Sequence, residues 1–161
     1  MQWNGDESRN ALEFRTLKEF LHGYLSVVLK AATTYFFLVF GAGFILGPIR
    51  VLYIVPRFGD RTAELMEAPL MLIVIVLSAR WVVRKFKVAP VGGMRIGVGL
   101  FALLLGLLFE FVIVLKLRGL SLSEYFQERD PVAGTVYYLM LCVLAIMPLL
   151  VGRKRRLGAG M

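Results

Sequence analysis

The chain carries no charged residue between Lys30 and Arg50. At roughly 1.5 Å per residue, a helix over that run is close to the ~30 Å of a bilayer's hydrocarbon layer. Three more apolar runs follow, and composition agrees with them: 58% of the residues are hydrophobic and the mean hydropathy is +0.73. A soluble helix of such length would carry a polar face, which these runs lack. The sequence therefore predicts an all-α, polytopic membrane protein made of one domain, residues 1–161. Its four transmembrane helices fall at about 24–47, 68–84, 96–115 and 131–152, in an antiparallel bundle. A polar N-terminus and an interfacial amphipathic helix occupy 1–23, and a basic tail occupies 153–161.

Local signals set the expected boundaries. Residues 1–9 read as frayed, and Asn10 and Glu13 have capping-box spacing. Phe14, Leu17, Phe20, Leu21 and Tyr24 recur at helical spacing with Arg15, Lys18 and Glu19 on other faces, as in a helix lying at the interface. A plain extension of the first span is the alternative. No small-residue cleavage site precedes a mature chain, so the first apolar run is expected to be retained. Gly47-Pro48 ends or bends the first span. Pro69 predicts a kink, or a short separate helix over Thr62–Glu67. Ser121 and Glu124 predict a short surface helix, Asp130-Pro131 the start of the fourth span, and Pro148 a bend in its last turn.

The net charge is +8, but the basic residues stand beside the apolar runs, where they read as topology signals and not as a nucleic-acid surface. The turn between spans two and three and the tail hold most of them. The positive-inside rule then puts both termini in the cytoplasm of a cell with this chain in its inner membrane. Arg80, Arg84, Lys85, Arg153, Lys154, Arg155 and Arg156 are expected at anionic lipid headgroups. The single cysteine, Cys142, excludes an intrachain disulfide and the usual cysteine sets of zinc and iron–sulfur sites. With His22 the only histidine, the sequence predicts neither a metal nor a cofactor.

The polar feature outside these basic stretches is the connection Gly47–Pro69, with Arg50, Arg57, Asp60, Arg61, Glu64 and Glu67. The positive-inside rule places it outside the cell. Glu110 lies six residues inside Lys116, about 9 Å of helix, where an ionisable group should face the bundle interior with a partner. Arg50, expected at similar depth, is the preferred partner, with Arg57 and Arg61 as others. Glu64 and Glu67, three apart, share a helical face. They read either as acid–base or divalent-cation ligands or as a solvated, salt-bridged membrane edge, with Arg57 and Arg61 competing for the carboxylates. Gly43 with Gly47, and Gly93 with Gly97, are spaced to let helices approach closely in lipid, more plausibly within the chain than between chains. No residue stands out as catalytic.

Arg61, Glu64 or Glu67, and Pro69 loosely resemble the Arg…Asn…Glu…Pro pattern of the membrane-associated eicosanoid and glutathione family. The asparagine is missing and the side of the membrane differs, so no glutathione chemistry is carried over. The sequence ranks three readings. The first is a non-enzymatic protein that self-associates or serves a larger membrane complex. The second is a small transporter or channel for a proton, cation or small solute, built on Glu110 and the outer arginines. The third is a membrane-embedded enzyme acting on lipids or thiols.

Overall fold

A computed structural model of the chain describes residues 5–113 and 131–151. Every element among them is helical: α1 (Gly5–Ile49), a π-helical turn (Arg50–Ile54), α2 (Val55–Lys85), α3 (Gly92–Ile113) and α4 (Pro131–Val151). Three stretches, Glu13–Lys85, Gly92–Val112 and Gly134–Val151, are long and apolar enough to cross a membrane, yet their most apolar windows are only 6%, 22% and 22% buried. Phe37, Phe44, Ile73, Leu104, Leu139 and Ile146 all face outwards. Such a surface suits lipid, which is as apolar as the side chains themselves. The expected surface helix near Ser121, the Asp130 cap and the Arg153–Arg156 cluster lie outside the described residues.

Two boundaries differ from expectation at the N-terminal end. α1 runs unbroken from Gly5 into the apolar run, so among the described residues no separate helix precedes the first span, and Asn10 is inside the helix, not at its cap. A helix that is already nucleated extends at little further cost, and nothing before Pro48 breaks it. The chain does not stop at Gly47-Pro48 either. It passes into the π-helical turn, where the Val55 N–H donates to the carbonyl of Arg50, five residues back. Pro48 and Pro56 flank this turn, and neither can donate a backbone hydrogen bond. The wider turn is the local solution between them.

The reversal comes at Gly59, whose φ of 78° and ψ of 164° interrupt the helix. That conformation is open to glycine and strained for a side chain. Beyond it α2 continues through Pro69 to Lys85, so no short separate helix ends before Pro69. A proline inside a helix removes one bond, here the one to the Leu65 carbonyl, and the helix carries on past it. At its other end α2 closes with Lys87 at φ 48°. Lys87 N–H donates to Arg84 O at 3.3 Å and Val88 N–H to Val83 O at 3.1 Å, the paired bonds of a Schellman ending with lysine in the usual glycine place. Arg95, read from sequence as a topology signal, is buried, and its Nε donates to Ala89 O at 3.2 Å, tying down the turn.

α1 packs on α2 and α3, and α4 packs on the same two helices. Small residues bring them close: Ala31, Ala32, Ala79 and Ala102 are fully buried beside Val82 and Val98. The tightest approach is at Gly99, where an added Cβ would collide with the Ala145 carbonyl, against 3.6–3.8 Å contacts at Gly43, Gly93 and Gly97. Any side chain at Gly99 forces α3 and α4 apart. Tyr35 is fully buried at the centre and its hydroxyl donates to Leu144 O at 3.2 Å. That carbonyl would ordinarily accept from the residue four positions on, which is Pro148 and has no N–H. The tyrosine supplies the missing donor in a place without water.

This pairing predicts a coupled effect. Tyr35→Phe should cost about 1 kcal/mol in thermal unfolding followed by circular dichroism, the scale of an interhelical hydrogen bond in a membrane protein. In a Pro148→Ala background, where the helix supplies its own donor, the same change should cost markedly less.

A candidate ligand cleft at the reversal

Val39, Gly43 and Gly47 recur every four residues along one face of α1. Arg50 continues that face into the π-helical turn. Because the chain doubles back at Gly59, the face meets Glu64, Glu67, Met71 and Ile75 of α2, while α4 brings Val136, Tyr137, Met140 and Leu144. Together they line a cleft of about 320 Å³. The glycines make the room: an added Cβ at Gly47 would meet nothing within 4 Å. Most of the wall is apolar, and the charges gather at the end nearest the reversal.

At that end one nitrogen of Arg50, Nη1, lies 3.4 Å from Glu64 Oε1 and 3.2 Å from Glu67 Oε2. The three side chains are 28%, 23% and 15% exposed. They are thus half-buried and not a solvated edge. Arg50 Nε is buried without a hydrogen-bond partner. The expected Arg50–Glu110 pair is therefore replaced. Arg50 is held by the two carboxylates across the reversal, and the Tyr137 hydroxyl donates to Glu110 Oε2. Arg50 is on a π-helical turn after Pro48, which re-aims it towards α2. Arg57 and Arg61 are exposed at the turn, and Arg50 pairs with both carboxylates.

Tyr137 was not singled out in the sequence. It lies six residues into α4, counted from Pro131, and Glu110 lies three residues before the last described residue of α3. Of the expected packing glycines, Gly43, Gly93 and Gly97 do contact neighbouring helices, while Gly47 opens onto the cleft. The most constrained one is Gly99. Arg80, Arg84 and Lys85 are exposed at the opposite end of α2, with Lys85 Nζ 5.7 Å from the Trp81 ring centre. Phe36, Phe40 and Phe109 pack on one another, with ring centres 4.8–5.8 Å apart. Among the described residues no group of three metal-ligating side chains forms. Comparison with protein-family models, with curated proteins and with solved structures finds no match.

The ion cluster predicts distinct couplings. Arg50→Ala leaves two carboxylates facing each other and should cost about 1–2 kcal/mol, less than a fully buried pair would because water still reaches it. Adding Glu67→Gln should recover part of that loss. Adding Glu110→Gln should instead give a nearly additive loss, since the two sites share no bond. Chemical or thermal unfolding of the four variants in mild detergent measures both.

Proposed function

We propose that the chain is a multi-pass inner-membrane protein whose working part is this cleft, a binding site for a small solute entering from outside. The reading is that of a small transporter-like protein, and the cleft of about 320 Å³ ending on charged side chains is the observation that carries it. Ligand sites are of this kind: concave, largely apolar, with a few polar groups at one end. Glu110 contributes through Tyr137, which stands in the cleft wall.

A four-span antiparallel arrangement is supported by the register of contacts. Arg50 meets Glu64 and Gly43 meets Met71, and both pairs of numbers sum to 114, as two helices folded back about residue 57 require. Gly93 meets Tyr24 and Gly97 meets Val28, each pair 69 apart, so α1 and α3 run the same way. The 73-residue run Glu13–Lys85 is then two crossings joined at Gly59. With the basic end of α2 in the cytoplasm, the cleft opens outwards and both termini lie inside, facing anionic lipid headgroups.

Self-association, or docking on a larger membrane complex, stands as the second reading. It is favoured by Phe14, Leu17 and Leu21, which form an exposed stripe on the N-terminal part of α1. The glycines that might have served such contacts are mostly spent within the chain. The described residues add nothing in favour of a lipid- or thiol-acting enzyme.

Cysteine labelling tests the first reading. In a Cys142→Ser background, an impermeant thiol reagent added to intact cells should modify Asp60→Cys, reporting orientation, and Met140→Cys, reporting access to the cleft. Gly47→Leu should slow the second reaction by about tenfold, a barrier rise of about 1.4 kcal/mol, and leave the first unchanged. Labelling of Asp60→Cys only after lysis would reverse the orientation. Labelling of Met140→Cys that ignores Gly47→Leu would remove the cleft as a route.

A further inference from the structure

We infer that the cleft takes a monovalent cation with an apolar body: a protonated amine or quaternary ammonium carrying hydrocarbon. The inference rests on the cleft being a ligand site and adds the class of ligand. It follows from how the charges are shared. Two carboxylates meet one guanidinium, and both meet the same nitrogen, Nη1, through one oxygen each. Among the described residues, the second oxygens, Glu64 Oε2 and Glu67 Oε1, take no protein partner. With all three groups ionised, the described residues that line the cleft hold one more negative charge than positive.

A carboxylate poorly supplied with water is costly unless an opposite charge or hydrogen bonds offset its desolvation. A cation at the free oxygens does so, whereas an anion would face two carboxylates gathered around the one guanidinium. The rest of the wall decides what is attached to that cation. Val39, Ile75, Met71, Met140 and Leu144 offer hydrocarbon and thioether surface, and methionine adapts readily to irregular apolar shapes. A hydrated divalent ion would find only two carboxylates and no use for those walls. At about 320 Å³ the space suits a small amphiphile and is too small for a whole two-chain lipid, so a free molecule is the source.

The test uses the purified full chain in a neutral detergent with three probes of one shape: octyltrimethylammonium, octanol and octanesulfonate, each below its own aggregation threshold. A ligand that binds only the folded state raises the unfolding midpoint. The cation should raise it by several degrees, Glu67→Gln should cut that shift by half or more, and Gly47→Leu should abolish it. Met140→Phe fills the same space from α4 and replaces Gly47→Leu if that variant does not fold. A shift from octanol or octanesulfonate that the filled variants abolish, with none from the cation, would overturn the ligand class and leave the cleft as a site. If no probe gives a shift sensitive to filling, both the ligand class and the cleft reading fall.

Discussion

The contact on which this end of the molecule depends is Arg50 between Glu64 and Glu67. These groups lie on either side of the Gly59 reversal, so the ion cluster joins the end of α1 to the start of α2. In water such a bridge adds little. At a half-buried membrane edge each partner alone would be costly, and so the three are held together. The geometry that allows it is built by backbone exceptions in close sequence. Pro48 and Pro56 bracket a π-helical turn that re-aims Arg50, and Gly59 takes the φ that lets the chain fold back.

Deeper in the bundle the governing constraint is different: every backbone polar group needs a partner where there is no water. Pro148 leaves the Leu144 carbonyl without its usual donor, and the hydroxyl of Tyr35 meets it from α1. Gly99 lets the backbones of α3 and α4 come so near that a single methyl group would not fit. These two devices fix α4 against α1 and α3, and α4 forms the third wall of the cleft. The cleft is open because Gly47 brings no side chain into it. Its charged end and its empty space thus come from neighbouring positions on one helical face.

Much of this was legible in the sequence. Apolar runs of bilayer length showed the helices, and Gly47–Pro69 stood out as the polar feature between the first two. The charged residues of that connection were singled out, but Arg50 meets Glu64 and Glu67 and not Glu110. Arg50 was matched to Glu110 by depth alone, and depth does not fix which way a side chain points. A π-helical turn rotates the helix face by an amount that no residue pattern announces. Pro69 was read as a breaker because proline is costly in helices, while the actual break fell at a glycine with room to turn. Tyr137 was hidden among aromatic residues that serve for packing elsewhere in the chain.

The central claim is that the chain reverses at Gly59 in the register that sets Gly43 against Met71 and Arg50 against Glu64. Oxidative crosslinking tests it most directly, with Gly43→Cys and Met71→Cys combined in a Cys142→Ser background. The pair should form an intramolecular disulfide, seen as loss of both free thiols to alkylation in the mass of the intact chain. Gly41→Cys with Met71→Cys should stay reduced, since nothing lies within 4 Å of a Cβ at Gly41. Equal crosslinking of both pairs, or of neither, would contradict this register and the cleft built upon it.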